Sequence, residues 1–530
     1  MYQICSYPFS KVPDVGPSVA TVTVEGVTAL DSFVLTGGKM PDSFFFKVQM
    51  KQPHPRSRRQ KVRGEGRFAV RPVMDGMAGA SVCRGLWYNT SPSRSRIMID
   101  IKKIREEFDA TVEQLARRGV EKANVQKAKD LDEKRRSLIS ETETLKAKRN
   151  SASKEIGMIA KQGGDIAAAK EEMRKIGDRI AEIDRELAVV ETDLRDTLLS
   201  IPNLPAPEIP TGMDSESNVV VRTVGEWKDP AYAIPDHMAI GEKLGIFDFP
   251  RGVKLTGTGF PILIGQGAKL QRALIQYMLD LHCDKQGYTE MLPPFVVNST
   301  SMTGTGQLPK FAEDLYHCQI DDFWLIPTAE VPVTNYYRDD IFDGVKLPKI
   351  TPENPVKLTA YTPCFRREAG SAGKMTRGLL RVHQFDKVEM VNFVHPETSF
   401  KQLEILVTEA EDVLKGLGLH YRILQLCSGD MGFSASKCYD LELWAPGEQQ
   451  WLEVSSCSCF TDYQARRLNC RFKDADGKTK LVHTLNGSGV ALPRLMVALL
   501  EQHLNEDGSV TIPEVLRPYM GGKEKLEPVK

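Results

Sequence analysis

Residues 363–389 read PCFRREAGSAGKMTRGLLRVHQFDKVE. Six of them are Lys or Arg and three are acidic, arranged around three glycines. Neither GxxxxGK[ST] nor GxGxxG is present, so a phosphate-handling role here cannot rest on a P-loop or a dinucleotide-binding turn. A lone FRRE cluster is a common surface salt-bridge pattern. Its meaning depends on what surrounds it.

Working outward, VKLTAYTPCFRRE and KVEMVNFV on either side are rich in β-type residues and read as strands, as do FWLIPTAEVPV and YTEMLPPFVV upstream. The paired prolines Pro293 and Pro294 suit an edge or interface strand, because proline cannot donate to a ladder. ALIQYMLDLHCDKQG reads as an amphipathic helix stopped at Gly287. No regular βαβ alternation appears, so the strands are expected to be antiparallel and the region from about 218 to 518 to be an α+β domain.

At 530 residues the chain has room for about two to four domains. Its 70 Lys plus Arg balance 70 Asp plus Glu, so a nucleic-acid partner would have to be met by a local patch. The ten cysteines are scattered, and the closest pair, Cys457 and Cys459, lacks the CxxC spacing of redox and zinc sites. They read as reduced thiols of a cytoplasmic protein. No apolar run approaches the roughly 18 residues that span a bilayer, so no membrane partner is expected.

Before the α+β region the texture is helical. Leu131, Leu138, Leu145, Ala152 and Ile159 recur every seven residues; after the GGD at 163–165, Ile166, Ala169, Met173, Ile176, Ile180, Ile183, Leu187, Val190, Leu194 and Thr197 alternate steps of three and four. Two seams separated by a Gly-Gly turn satisfy each other within one chain, which predicts an antiparallel coiled-coil arm of two helices, each about 35 residues and about 50 Å long. Its first helix carries Lys127, Lys129, Arg135, Arg136, Lys146, Lys148, Arg149 and Lys154 among acids, by itself the pattern of a solvated face. Four prolines between 202 and 210 end the arm and begin a linker. Residues 1–97 hold fourteen basic and six acidic residues and no sustained period. They are expected to be disordered or an upstream extension from a misassigned start, with Met98 opening the protein proper; a targeting presequence is the weaker reading.

MIDIKKIREEF, the arm, IPN before the proline-rich linker, GTGQLPKF, IPTAEVPVTN, CFRREAGSAGKMTRGLLRVHQFDKVEM, CSGDMGF, YDLELW, EVSSCS, DYQARR, HTLNGSG and VLRPYM occur in the order seen in bacterial-type seryl-tRNA synthetases, which this chain resembles over essentially all of 98–520. The resemblance implies a helical tRNA-binding domain at 98–212 and a class II catalytic domain built on an antiparallel sheet at 213–530. The implied activity is ATP-dependent ligation of L-serine to tRNA(Ser) through a seryl-adenylate, with tRNA(Sec) as a further candidate acceptor. ATP is then a substrate, Mg²⁺ a cofactor and zinc not expected. A homodimer is implied by Pro294, which matches the motif 1 proline.

By the same resemblance the opening stretch is motif 2. Arg366 would hold the α-phosphate and the serine carboxylate, Glu368 the adenine amino group, Arg381 the outer phosphates and Phe385 a face of adenine, with Val382 and His383 also at the nucleotide. Arg494 in GSGVALPR, resembling motif 3, would cover the opposite face, its planar guanidinium suited to stacking. Glu453, Val454, Ser455 and Ser456 would complete the nucleotide site, Glu453 and Ser456 as hard oxygen ligands of Mg²⁺. Arg366, Glu453 and Arg494 are the implied catalytic residues. Serine would be read by Thr328, Ala329, Glu330, Glu389, Asn486 and Ser488. Cys459 departs from the asparagine frequent at its position. Two other readings keep the fold: a paralogue activating a small amino acid for a carrier protein, which would lose the arm, and a non-catalytic RNA-binding homologue, which would tolerate loss of Arg366 or Arg494.

Overall fold

The computed structural model describes residues 99–529 apart from 164 and 370–376, together with four short strands before them. The chain separates into two compact units, residues 1–91 and 92–530. In the first, Ala20–Val22 pairs antiparallel with Phe33–Leu35, and Phe44–Phe45 with Ala69–Val70. The rest of the extension, and Met98, lie outside the described residues, so the expectation of a disordered or dispensable extension rests on sequence.

The second unit begins with two short helices, Ile101–Glu106 and Phe108–Ala116, the first capped by the Asp100 side chain accepting from Lys102 N–H at 3.0 Å. The arm follows as α1 (Lys122–Lys161) and α2 (Ala167–Leu199), reversing at Gly163 with φ +74°. Leu138, Ile183 and Val190 are buried in the seam, as the heptad spacing requires, and Lys134–Glu186, Arg135–Glu191 and Arg179–Glu141 pair across it at 2.8–2.9 Å. Toward the tip the seam opens: Ile159, expected to be a core position, is 37 % exposed. At the root, Val125, Ala128, Leu194 and Leu198 join Ile101, Ile104 and Leu115 around Tyr463, a residue of the α+β body. The proline-rich segment is a packed strap and not a loose spacer, for Ala206 and Ile209 are buried against Leu424, Leu426 and Cys438.

The body is built on an eight-stranded main sheet. In chain order its strands are β1 (Val219–Val224), β2 (Thr289–Glu290), β3 (Val356–Phe365), β4 (Gln384–Val394), β5 (Tyr421–Gln425), β6 (Lys437–Ala445), β7 (Gln450–Cys459) and β8 (His483–Ala491). They lie in the order β1-β5-β6-β7-β8-β4-β3-β2, antiparallel except for β2, which runs parallel to β3 at the edge. The α+β class and the antiparallel sheet are therefore as the sequence suggests. Helices α3 (Gly265–Asp280), α4 (Ser399–Gly416) and α5 (Leu492–Gln502) cover one face with the largest apolar core.

Strand periodicity then decides where the polar residues go. On β4, Val388 and Met390 enter the core under the helices, so Lys387 and Glu389 point to the other face. Leu485 and Cys457 likewise alternate with Asn486 and Ser456. Two β-bulges interrupt this face, one on β7 at Val454 and one on β8 at Gly489, shifting the register beside Glu453 and Ser488.

Two expected strands differ. FWLIPTAEVPV is extended only over Phe323–Leu325; its second half is a short helix, Glu330–Asn335. Thr328 Oγ1 accepts from the Glu330 N–H at 3.2 Å and turns the chain there. YTEMLPPFVV divides at its prolines: Thr289–Glu290 is in the main sheet and Val296–Val297 in a separate three-stranded one.

Candidate active site

The polar face of the sheet opens into a cavity of about 660 Å³. Of the residues picked from sequence, Arg366, Glu368, Arg381, Val382, Phe385, Glu453, Val454, Ser455, Ser456, Arg494, Thr328, Glu330, Asn486 and Ser488 all border it. Ala329, His383 and Glu389 do not. Ala329 is fully buried in the apolar cluster behind the short helix. His383 turns away, its ring stacked on Phe260 at 5.4 Å and its Nδ1 3.0 Å from the Arg366 carbonyl oxygen. Glu389 lies one layer beneath the floor, fully buried.

Three guanidinium groups border the cavity. Arg366 lies over Phe385, 5.1 Å from the ring centroid, and donates from Nε to the Pro327 carbonyl at 3.3 Å. Arg381 is ion-paired with Glu368, a non-glycine residue with φ +52°. Arg494, from the first turn of α5, donates to the carbonyls of Leu380 at 3.1 Å and Glu453 at 3.0 Å. These contacts fix the position of planar cations that can meet phosphate oxygens and a carboxylate bidentately.

Two buried carboxyl groups, Glu330 and Glu389, share Asn486 as a partner. Burial, then the nearby Glu389 carboxylate, push the Glu330 pKa up to about 7. Gln464 Nε2 donates to Glu330 at 2.6 Å, and Asn486 Nδ2 bridges Glu330 at 3.1 Å and Glu389 at 2.8 Å. Lys387, bordering the cavity, pairs with Glu389 and donates to Thr328 Oγ1 at 2.9 Å. Farther along the sheet, burial and the neighbouring Glu453 raise Asp440 well above the usual carboxylate range, while a hydrogen bond from Ser456, its partner across the strands, opposes the shift.

Sequence reasoning missed Lys387, Gln464 and Asp440. Lys387 had a local signal, since it sits two residues from Glu389 on a strand and so shares its face. Gln464 and Asp440 had none, because their partners come from remote segments. Among the described residues, one His-carboxylate group brings its donor atoms close enough to share an ion: His237, Glu448 and Glu501. Its donors are already engaged. His237 Nδ1 contacts Glu448 at 2.9 Å, its Nε2 accepts from Leu379 N–H at 3.1 Å, and Glu501 accepts from the backbone N–H groups of His237 and Gly447.

Residues 98–205 match the seryl-tRNA synthetase N-terminal domain and residues 316–503 the tRNA synthetase class II core domain (G, H, P, S and T). The serine--tRNA ligase of Geobacter sulfurreducens is 52 % identical over 430 residues, which span 81 % of this chain and 100 % of that protein. That of Herpetosiphon aurantiacus is 50 % identical over 431 residues, with the same coverage. Among solved structures, seryl-tRNA synthetase from Pyrococcus horikoshii complexed with ATP superposes with a TM-score of 0.76 at 36 % identity, covering 82 % of this chain and 100 % of that one. Cytoplasmic serine-tRNA ligase from Naegleria fowleri in complex with AMP gives 0.72 at 29 % identity, covering 82 % and 99 %.

Proposed function

The chain belongs to the seryl-tRNA synthetase family, and from that premise we propose how its cavity performs the reaction. The activity is ATP-dependent ligation of serine to tRNA through a seryl-adenylate. The observation that carries the assignment of roles is that Arg366, Arg381, Arg494 and Phe385 border the same cavity as Glu330 and Asn486. The first set suits phosphates and a purine, the second an ammonium and a hydroxyl.

In the first step a serine carboxylate oxygen attacks the α-phosphorus of ATP and the bond to pyrophosphate breaks. Arg366 bridges the attacking carboxylate and the α-phosphate, stabilising charge as it develops. Phe385 and Arg494 sandwich adenine; Glu368 takes its amino group and Arg381 the outer phosphates, once their mutual ion pair opens. Glu330, Thr328 and Asn486 hold the serine ammonium. Ser488 reads the hydroxyl from the cavity lining and Glu389 from beneath it, with Lys387 yielding its share of the carboxylate. Glu453 and Ser456 fit a magnesium ion, since both are hard oxygen donors that border the cavity. Such an ion, when bound, neutralises charge on the ATP phosphates.

We divide the chain at 97/98 and 212/213. The α1–α2 arm reads the backbone and shape of a long variable arm, as a basic hairpin on the order of 50 Å long can. A second copy of the chain covers the exposed apolar surface around Pro294, where Leu292 is 79 % and Phe323 48 % exposed. Serine-dependent ATP–pyrophosphate exchange followed by charging of tRNA(Ser) tests the reading. Exchange without transfer to tRNA would instead favour delivery to a carrier protein, and absence of both would remove the catalytic role.

A further inference from the structure

His237, Glu448 and Glu501 have no part in the roles assigned above, yet His237 and Glu501 are fully buried. His237 opens a short helix, His237–Leu244, capped by the Asp236 side chain, which accepts from Ala239 N–H at 2.9 Å. Glu501, near the end of α5, accepts from the His237 backbone N–H at 3.0 Å, from Gly447 at 2.8 Å and from Glu448 at 3.3 Å. The Glu448 carboxylate meets His237 Nδ1 at 2.9 Å. On the far side of the ring, Nε2 accepts from the Leu379 N–H at 3.1 Å. A ring nitrogen that accepts carries no proton, so the imidazole is neutral with its one proton on Nδ1, donated to Glu448.

The peptide held by Nε2 belongs to the cavity wall. Arg377, just before it, is ion-paired with Asp236. Gly378 has φ +59°, and a Cβ there would lie 2.1 Å from His237 Nε2, so glycine is what lets the chain approach the ring. Leu379 and Leu380 border the cavity, and the Leu380 carbonyl accepts from Arg494 Nε at 3.1 Å. Arg381 is the next residue. Arg494 and Glu501 are seven residues apart on α5, two turns and roughly 10 Å along one face. One helix therefore grips one stretch of chain twice, directly from Arg494 to Leu380 and through His237 from Glu501 to Leu379. The serine pocket hangs on other bonds, those of Gln464 and Asn486 to Glu330.

We propose that His237 is a positioning residue for the ATP step: its unprotonated Nε2 fixes the Leu379–Leu380 backbone, and with it the plane of the Arg494 guanidinium and the reach of Arg381. The inference rests on the synthetase reading of the cavity. It adds to that reading a residue that touches neither substrate.

The test separates the two ring nitrogens, in the full chain. His237→Gln places an amide oxygen where Nε2 stands and keeps the Leu379 bond; His237→Asn places an amide NH₂ where Nδ1 stands and keeps only the Glu448 bond. In serine-dependent ATP–pyrophosphate exchange, His237→Asn should raise the KM for ATP by roughly tenfold and leave that for serine within about twofold. His237→Gln should stay within about threefold of the parent for both. Each variant gives up one bond of the ring, so a merely structural role would make them alike. An equal KM for ATP in the two variants, the reverse order, or equal effects on ATP and serine would overturn the proposal. Should neither variant fold, nitrogen NMR of the parent's His237 ring with ATP bound decides in their place: an unprotonated Nε2 supports the bridge to Leu379 and a protonated one refutes it. A parent without exchange would fail the synthetase reading itself, a separate outcome.

Discussion

Glu330 shows how much one enclosed carboxyl can report. Its pKa is raised to about 7, first by burial and then by Glu389. An unfolded chain's glutamate titrates near ~4.3, so folding favours the protonated form; that stabilisation is complete below the unfolded value and is lost as pH rises through the folded one. A serine ammonium seated beside Glu330 reverses the preference. Serine binding should therefore release protons at pH 6 and almost none at pH 8.5, and Glu330→Gln should abolish the release. Calorimetry in buffers of differing ionisation enthalpy measures this, and a release of zero at every pH would take Glu330 out of the ammonium pocket. The Lys387–Glu389 pair makes a second prediction. Glu389→Gln keeps the Asn486 contact but leaves a buried ammonium unpaired, so it should cost about 3–5 kcal/mol of stability. Serine-dependent exchange should fall steeply while the KM for ATP changes little. Adding Lys387→Met should restore the melting temperature without restoring serine use; if serine use returned as well, Glu389 would be structural only. With the parent, alanine should be excluded by roughly 10⁴, because it strands the groups that bind the hydroxyl, and threonine by the size of the site.

The arm is the element in which periodicity and structure agree most closely, up to its outer third. Its root and middle bury Leu194, Val190, Ile183 and Leu138, whereas Met158 near the tip is 59 % exposed. Amide exchange should accordingly be slowest near Leu194 and fastest around Gly163, and a uniform profile would contradict this packing. Arg135 and Glu191 bond across the pair at 2.9 Å, so positions 130 and 196 are near enough to be joined by a short linker. Deleting 130–196 should leave pyrophosphate exchange nearly intact and abolish charging; full-rate charging would show that the arm does not read the tRNA. Long elements were legible because each repeats one period many times: the heptads of α1 and α2, the ten residues of β3 and the eleven of β4. The stretch at 323–335 was not, since Val331 and Val333 suit strand or helix equally and the decisive bond is Thr328 closing a turn on Glu330. The site divides the same way. Residues inside the quoted stretch could be chosen through the resemblance of its motif, but Gln464 and Arg118 acquire meaning only when the fold sets them against carboxyls and carbonyls far away in sequence.

For the whole molecule, the 1–91 unit forms its described strand pairs internally, and the family match begins at residue 98. A chain starting at Met98 should keep the melting temperature and both half-reactions of the full protein, and a large loss in either would make the extension functional. The rest of the molecule has the mechanics of a lever. Its fulcrum is the apolar knot of Ile104, Leu115, Leu198 and Tyr463. From there the arm runs about 50 Å outward, at 1.5 Å for each helical residue, while Arg118 reaches only a few ångströms inward to donate to the Met431, Gly432 and Ala435 carbonyls, a ratio of roughly ten to one. A swing of about 5 Å at the tip therefore arrives at the Met431–Ser436 carbonyls as about half an ångström, comparable with the spread between a good hydrogen bond and a poor one. Force scales the other way. A weak pull on the tip becomes a strong torque at the root, so a load seated along the far end of the arm would bear on the Met431–Ser436 hydrogen bonds.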